Sequence, residues 1–247
     1  MRLEENSWLF TKPIAHRGFH NDNEPENSMR AFINSIKMDY AIEFDIHMIK
    51  DGNLIVFHDS NVARMTGVNK NVTDLTIDDV NKLRLFNTGE KIPLFKEFLE
   101  LVDGQVPLLI EIKDTSKIGE VERRLIAYLN EYPGEYVVQA FNPLRVKWLK
   151  DHAPHIIRGQ LSGLYSHSKR GTFEKILLGN LAFNFMTKPD FINYQIEGLE
   201  RNIIKFLNFM EYPVISWTAR NQEIYCKALE LSKNVVFEKF DPKNVIS

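Results

Sequence analysis

Short apolar segments recur along the chain, and longer amphipathic segments separate them. This alternation is typical of consecutive βα units, whose strands pair in a parallel sheet. Eight segments have the length and composition of buried strands: 13–15, 41–47, 107–113, 136–141, 156–161, 180–185, 214–218 and 234–238. A closed barrel of eight βα units is usually about 250 residues long. The 247 residues therefore predict an α/β fold, a TIM-type (β/α)8 barrel that spans 1–247 as one domain.

Segments with the apolar spacing of helices lie between these strands. They cover residues 26–38, 120–131, 143–151, 191–211 and 222–232. Pro143 suits the first turn of a helix, where no backbone N–H is needed for the hydrogen-bond ladder. The single cysteine, Cys226, excludes a disulfide framework and a metal site built from cysteines. Its place in a predicted helix favours the role of a buried small hydrophobe.

The connection between the second and third predicted strands is longer than an ordinary βα loop, since it covers residues 48–106. Within it the sequence predicts a turn at Asp51-Gly52, a strand-like run at 54–58 and helices at 76–83 and 94–102. We therefore predict a small insertion at about 48–91, after the second strand, that rises over the barrel mouth. Such an insertion carries His58 into the site and shapes substrate access.

Charge and hydropathy exclude several classes of partner. The formal net charge of -2 offers no basic field for nucleic acid, and 44% hydrophobic residues is ordinary for a globular chain. No stretch approaches 18 apolar residues, so stable membrane insertion is not expected. The first ten residues lack the basic and apolar regions of a signal peptide, which predicts a cytoplasmic protein. The oligomeric state is left open.

Carboxylates gather near the C-terminal ends of the second and third predicted strands, where barrel enzymes place their chemistry. Glu43 and Asp45 point the same way because side chains alternate across a strand, and so do Glu111 and Lys113. Three carboxylates on one face repel one another unless a cation neutralises them. The sequence therefore predicts a divalent metal with oxygen ligands, Mg2+ or Ca2+, at Glu43, Asp45 and Glu111. Lys113 is placed to hold a phosphoryl oxygen.

Two histidines are predicted to transfer protons, because imidazole titrates near neutral pH. His16 ends the first strand and is followed by Arg17, whose forked donors match phosphate oxygens, and by Gly18, which permits a tight turn. His58 ends the strand-like run of the predicted insertion, and Asp59 either orients it or starts the next turn. The sequence thus indicates a phosphate site with two histidines.

Three further residues have two open interpretations each. In Pro25-Glu26-Asn27-Ser28, either Asn27 or Ser28 caps the following helix, and Asn27 is equally a candidate for contact with the site. Phe141 and Trp217, at the ends of strands four and seven, either line an apolar wall beside the phosphate or pack in the core. The remaining histidines are predicted to be structural or exposed, although His47 shares the face of Glu43 and Asp45: His20, His47, His152, His155 and His167.

An ordered set of motifs covers the first half of the chain. It comprises His16-Arg17-Gly18, Pro25-Glu26-Asn27, Glu43-Phe44-Asp45, Asp51-Gly52, His58-Asp59 and Glu111-Ile112-Lys113. With these motifs the chain resembles the glycerophosphodiester phosphodiesterases. A weaker likeness continues through Ala140-Phe141-Asn142-Pro143 and Ser216-Trp217-Thr218.

The resemblance implies a TIM-type barrel with an insertion after the second strand. It also implies a divalent metal at Glu43, Asp45 and Glu111, and a phosphate held by Arg17 and Lys113. His16 and His58 would be the acid-base pair, in an order that stays open. The implied reaction is hydrolysis of glycerophosphodiesters to sn-glycerol 3-phosphate and an alcohol, which belongs to lipid and glycerol metabolism.

Alternatives to this function remain at the level of sequence. A lysophospholipase D-like activity predicts an apolar groove near the insertion, for which Phe86, Phe95 and Phe98 are candidates, although ordinary packing explains them better. A non-catalytic protein that binds glycerophosphodiesters is a third reading, and it leaves the two histidines unexplained. The attacking oxygen belongs either to water or to the glycerol 2-hydroxyl, which would form a cyclic phosphate. The preferred headgroup is open.

Overall fold

A computed structural model describes residues 3–86, 88–113, 115–166 and 171–243. The strands are β1 Ile14–Ala15, β2 Ala41–Met48, β3 Leu54–Val56, β4 Leu108–Ile112, β5 Tyr136–Ala140, β6 Arg158–Ser162, β7 Phe191–Gln195, β8 Val214–Ala219 and β9 Val235–Phe237. The α-helices are α1 Trp8–Thr11, α2 Met29–Lys37, α3 Ala63–Thr66, α4 Ile77–Lys82, α5 Phe95–Val102, α6 Glu120–Leu129, α7 Pro143–His152, α8 Thr172–Gly179, α9 Asn184–Thr187, α10 Asn202–Phe209 and α11 Gln222–Leu229. Within these ranges, 3-10 helices cover Val72–Asp74 and Ile196–Gly198.

The chain forms two compact units. The N-terminal unit is Ala15–Tyr136, and the C-terminal unit combines Met1–Ile14 with Val137–Ser247. Seven of the eight predicted strands coincide with observed ones to within about two residues, as expected for boundaries read from a pattern. The sixth predicted strand coincides with no observed one.

The two faces of strand β2, in the N-terminal unit, differ in polarity. It pairs in parallel with β4, and the register places Asp45 opposite Glu111. One face carries Glu43, Asp45 and His47. The other face is apolar, and Phe44 lies there with its ring centroid 4.3 Å from that of Phe98 in α5. Every residue of β2 before Met48 is buried, so the strand supports polar groups on one side and a core on the other.

The turn predicted at Asp51-Gly52 joins β2 to the antiparallel strand β3, with His47 opposite Ile55. The residues that follow have an apolar cluster of their own, formed by Ile49, Ile55, Phe57, Val62, Met65, Val72, Leu75, Val80, Leu83, Leu85 and Ile92. Helix α4 begins with a capping box in which Thr76 and Asp79 exchange hydrogen bonds. This core fixes the segment that carries His58. That 48–91 is an insertion within a single barrel domain stays a prediction.

The C-terminal unit contains consecutive parallel pairs, from β5 with β6 to β8 with β9. Helices connect these strands, which is the order expected from βα units. Helix α7 begins as predicted, with Pro143 in its first turn and the Asn142 side chain accepting from the Leu144 N–H at 3.0 Å. No helix among the described residues is long and apolar enough to cross a membrane.

The sixth predicted strand, 180–185, is wrong. Helix α8 ends just before it, Leu181 is left-handed with φ 57°, and α9 begins at Asn184. The strand is instead β7, Phe191–Gln195, which lies at the start of the predicted helix 191–211. Both segments are short apolar runs, and pairing with β6 and β8, which sequence spacing does not reveal, selects the second one.

The prediction that Cys226 is buried is also wrong, since the cysteine is exposed. Helix α11 buries Tyr225 and Ala228, which lie three residues apart on one face. Cys226 follows Tyr225 by one residue and is therefore turned about 100° away from that face. Because Cys226 is the single cysteine, no cysteine side chain packs in the core.

Gly159 in β6 is required by the ring of Phe191, the residue opposite it in β7. A Cβ atom at this position would lie 2.3 Å from Cζ of Phe191, which is fully buried. We expect Gly159→Ala to lower the free energy of unfolding by about 1–3 kcal/mol, because overpacking forces the ring and the strands to shift. Urea unfolding measures this effect. Gly89→Ala, whose Cβ meets nothing within 4 Å, is the control and should leave stability unchanged; an equal loss in both variants would contradict the prediction.

Candidate active site

Three carboxylates meet on the polar face of β2 and β4. One oxygen each from Glu43, Asp45 and Glu111 lies within 4.8 Å of the others. The three residues are 3%, 1% and 6% exposed, so little water screens their charges. Their oxygens are the ligands preferred by hard divalent cations. The predicted ligand set is thus brought together, and the cluster can hold a metal ion.

Lys113 follows β4 and lies against this cluster. Its Nζ is 2.6 Å from Oε1 of Glu111 and 3.2 Å from Oδ1 of Asp45. Burial opposes ionisation of Lys113, but the two carboxylates prevail and raise the pKa of the ammonium above its ordinary value. Lys113 is therefore a fixed positive charge among the carboxylates.

The carboxylates respond differently to their surroundings. Burial raises the pKa of Glu43 well above its ordinary value, and the charges of Asp45 and Glu111 raise it further. Burial also opposes ionisation of Asp45, but Lys113, His58 and Arg17 hold the pKa of Asp45 well below its ordinary range. Negative charge is therefore in excess around Glu43, which is the electrostatic condition that a bound cation relieves.

Arg17 lies in a tight turn directly after β1. Its backbone is left-handed with φ 53°, and that of Gly18 with φ 78°. A side chain on Gly18 would meet Phe32 at 2.9 Å, so only glycine fits there. The turn directs the Arg17 N–H to Oε2 of Glu43 at 3.0 Å, and Nη1 of its guanidinium donates to Oε1 of Glu26 at 2.6 Å. Nε lies 3.5 Å from Oδ2 of Asp45.

Asn27 contacts the site, and its neighbour caps the helix. The Ser28 hydroxyl accepts from the Ala31 N–H at 3.2 Å, which makes Ser28 the N-cap of α2. Asn27 is 2% exposed, and its Nδ2 donates to Oδ2 of Asp45 at 3.0 Å. Its Oδ1 is buried without a hydrogen-bond partner, so it is a further oxygen available beside the carboxylates.

His58 follows β3 and lies at the start of an ionic network. Its Nδ1 is 2.7 Å from Oδ1 of Asp59. Asp59 in turn accepts from Nε of Arg64 at 2.6 Å, and Nη2 of Arg64 donates to Oε1 of Glu26 at 2.6 Å. His16 reaches the carboxylates from another direction, with Nε2 3.9 Å from Oε2 of Glu43. Both histidines were predicted from the sequence, but Arg64, which lies outside the motifs named above, was not.

His47 is a buried neutral imidazole that supports His58. It is 1% exposed, and burial lowers its pKa to about 4. Its Nε2 lies 3.1 Å from the His58 carbonyl, which only accepts, so Nε2 donates and Nδ1 accepts from the Thr115 hydroxyl at 2.8 Å. The predicted structural role agrees with these contacts. The shared face with Glu43 and Asp45 was the sequence signal for its position near the site.

The remaining predicted residues have contacts of their own. Phe141 and Trp217 pack edge to face in the C-terminal unit, 5.6 Å apart, and Trp217 Nε1 donates to the Ser162 carbonyl at 3.2 Å. Tyr165, which the sequence analysis did not name, packs on Phe141 at 6.1 Å. His152 and His155 are exposed, and His20 is partly buried. His167 lies outside the described residues.

The three phenylalanines that were candidates for an apolar groove near the insertion differ in burial. Phe95 and Phe98 are fully buried in the aromatic core behind β2, as ordinary packing predicts. Phe86 is 52% exposed. Phe95 and Phe98 are therefore core residues.

Neutralising Glu43 should stabilise the metal-free protein. A raised pKa means that the folded state holds the proton more tightly than the unfolded chain, so stability is lost as pH rises above the ordinary value of 4.5. In EDTA at neutral pH we expect Glu43→Gln to raise the free energy of unfolding by about 1 kcal/mol, with a difference that shrinks in acid. Urea unfolding across pH measures it. Glu100→Gln, an exposed acid, is the control; a pH-independent difference would contradict the prediction.

Comparison with known proteins identifies the family of this chain. The model of the glycerophosphoryl diester phosphodiesterase family matches residues 16–240. A glycerophosphodiester phosphodiesterase from Caldanaerobacter subterraneus subsp. tengcongensis is 35% identical over 163 residues, which are 61% of this chain and 66% of that protein. A human lysophospholipase D is 34% identical over 134 residues, 47% of this chain and 42% of that protein. Each alignment thus leaves at least a third of the relative unmatched.

The fold is shared with a solved phosphodiesterase from Oleispira antarctica in complex with the product sn-glycerol-3-phosphate. The TM-score is 0.80 at 17% sequence identity, over 96% of both chains. The predicted fold class, a TIM-type (β/α)8 barrel, is confirmed. The resemblance seen in the motifs is confirmed as well, because the family match runs from His16 in the first motif to Phe240 after β9. The chain belongs to the glycerophosphoryl diester phosphodiesterase family.

Proposed function

We propose that this protein is a glycerophosphodiester phosphodiesterase that hydrolyses its substrate to sn-glycerol 3-phosphate and an alcohol with the help of a divalent metal. The observation that carries the proposal is the buried carboxylate cluster with Lys113 and Arg17 at its edge. Family membership supports the same reaction class. The substrate is a small molecule, in keeping with the product bound by the Oleispira antarctica structure.

The metal would be held by Glu43, Asp45 and Glu111, and Asn27 offers its buried amide oxygen beside them. All of these donors are oxygens, which favours Mg2+ or Ca2+ over softer ions. When bound, such an ion supplies positive charge that polarises a phosphoryl oxygen. It also relieves the excess of negative charge around Glu43.

Arg17 and Lys113 would bind the phosphate. Both cations are largely buried, with 15% of each side chain exposed, so their charges act at low dielectric. Charge builds up on the phosphoryl oxygens as the new bond to phosphorus forms, and prepositioned cations stabilise that charge most. Positioning and electrostatics are therefore the main contribution of these residues.

His16 and His58 would form the acid-base pair. One takes the proton of the attacking hydroxyl as its oxygen bonds to phosphorus, and the other gives a proton to the departing alcohol oxygen as that P–O bond breaks. Asp59 accepts from Nδ1–H of His58, which leaves Nε2 to exchange the proton. The order of the two histidines is open, as is the choice between water and the glycerol 2-hydroxyl as attacking group.

Three finer predictions belong to the same proposal. Phe141 and Trp217 would provide the apolar wall beside the phosphate. The domain would be a single barrel with its insertion at about 48–91, and the protein would act in the cytoplasm.

A lysophospholipase D-like activity is the second candidate function, favoured by the likeness to the human lysophospholipase D. The phosphate chemistry is common to both.

Activity tests the proposal directly. Purified protein with glycerophosphocholine or glycerophosphoethanolamine, and Mg2+ or Ca2+, should release sn-glycerol 3-phosphate. His16→Ala and His58→Ala should each lower kcat about 10²- to 10⁴-fold, because each removes a proton-transfer group. His152→Ala, an exposed histidine, is the control. Turnover of lysophosphatidylcholine alone would favour the second candidate, and binding without turnover of any of these would contradict an enzyme.

Metal binding is testable without turnover. Mg2+ or Ca2+ should raise the unfolding midpoint, since a ligand present at a hundred times its Kd stabilises a folded protein by about 2.7 kcal/mol. Asp45→Asn should remove most of this gain and EDTA all of it. Glu100→Gln should retain it. A gain that is equal in wild type and Asp45→Asn would place the ion elsewhere.

A further inference from the structure

One side chain joins the two halves of the candidate site. Arg64, in α3, lies between Asp59, which contacts His58, and Glu26, which contacts Arg17. Each of these two acids thus pairs with Arg64 and also contacts a proposed site residue.

The contact with Asp59 is a two-point one. Nε of Arg64 donates to Oδ2 at 2.6 Å and Nη2 to Oδ1 at 3.1 Å. Such a fork fixes the plane of the carboxylate as well as its position. Oδ1 is also the oxygen that faces Nδ1 of His58 at 2.7 Å, so the fork sets the direction of the acceptor that holds the imidazole ring.

The contact with Glu26 uses the other edge of the same guanidinium. Nη2 donates to Oε1 at 2.6 Å and Nη1 to Oε2 at 3.3 Å. Oε1 of Glu26 also accepts from Nη1 of Arg17 at 2.6 Å. Glu26 is therefore held from both sides, and the lateral position of the Arg17 guanidinium beside Asp45 depends on it.

Arg64 itself is unsuited to bind substrate, because four of its donor contacts go to these two carboxylates. A lysine could not replace it, since an ammonium is a point charge without two planar edges.

We propose that Arg64 is a positioning residue for the proposed hydrolysis: it orients the His58 imidazole through Asp59 and the Arg17 guanidinium through Glu26. The inference rests on the proposed function only for its effect on kcat, because the orientation of His58 is measurable in the absence of turnover. Arg64 thereby couples the segment that carries His58 to the loop that carries Glu26.

The test compares Arg64→Ala and Arg64→Lys with Arg30→Ala. Arg30 is the matched control: its Nε lies 3.0 Å from Glu90, so it is another exposed arginine that pairs with an acid, and it contacts neither Asp59 nor Glu26. With glycerophosphocholine we expect both Arg64 variants to lower kcat by about 10- to 100-fold, the range for loss of a group that holds a catalytic side chain in place. KM should change less than kcat, and Arg30→Ala should match wild type in both.

A spectroscopic readout separates positioning from general stability. In protein labelled with 15N-histidine at mildly alkaline pH, wild-type His58 should show a single Nδ1–H tautomer, as the Asp59 contact requires. Arg64→Ala should show a mixture of tautomers, and Arg30→Ala a single one. Arg64→Lys serves in place of Arg64→Ala if the latter does not fold.

A double-mutant cycle in kcat gives a second readout. In the double variant that combines Arg64→Ala with Asp59→Asn, the effects of the two substitutions on kcat should be far from additive.

The outcomes distinguish this proposal from the proposed function. A single Nδ1–H tautomer in the folded Arg64 variants overturns the positioning role, whatever the activity. Kinetic constants of Arg64→Ala equal to those of Arg30→Ala overturn it too, if wild type is active. A wild-type protein that hydrolyses no glycerophosphodiester refutes the proposed function, and the tautomer comparison then still decides the role of Arg64.

Discussion

Repulsion among three buried carboxylates is the constraint on which the site depends. The parallel register of β2 and β4 sets Asp45 opposite Glu111, and Glu43 lies two residues before Asp45 on the same face of β2. Negative charges this close in a dry environment persist only with compensating cations and donors. The structure provides Lys113, Arg17 and the Asn27 amide, and the remaining excess around Glu43 suits a metal ion.

The loops around the cluster are shaped by the need to deliver those cations. The left-handed turn at Arg17 and Gly18 brings the Arg17 guanidinium to Asp45, with Nε 3.5 Å from Oδ2. The left-handed backbone of Asn27 places its side-chain amide where it donates to Asp45. Farther out, the segment after β2 has its own apolar core, which holds His58 at a defined place. A rigid support of this kind is what a proton-transfer group needs, because misplacement by about 1 Å is costly for catalysis.

The parts of the site that the sequence predicts are those tied to strand periodicity. Alternation alone places Glu43 and Asp45 together, and it also gave the first sign that His47 lies near them. Arg64 escaped prediction because its partners, Asp59 and Glu26, are five and 38 residues away and meet only through the fold. The misplaced sixth strand has a related cause, since 180–185 and β7 are both short apolar runs and strand pairing chose between them.

The sequence by itself determined seven of the eight predicted strands, the polar face of β2 and the order of motifs, because each is a local pattern of residue types. It also determined the family, since the match spans 16–240. Only the tertiary structure decided that Ser28 rather than Asn27 caps α2, that Cys226 faces outward, and that Arg64 joins His58 to Arg17. The cap and the outward side of Cys226 depend on where a helix begins and on which of its faces packs against the core. The contacts of Arg64 depend on distances between residues remote in the chain, and such distances follow from how elements pack rather than from what each element contains.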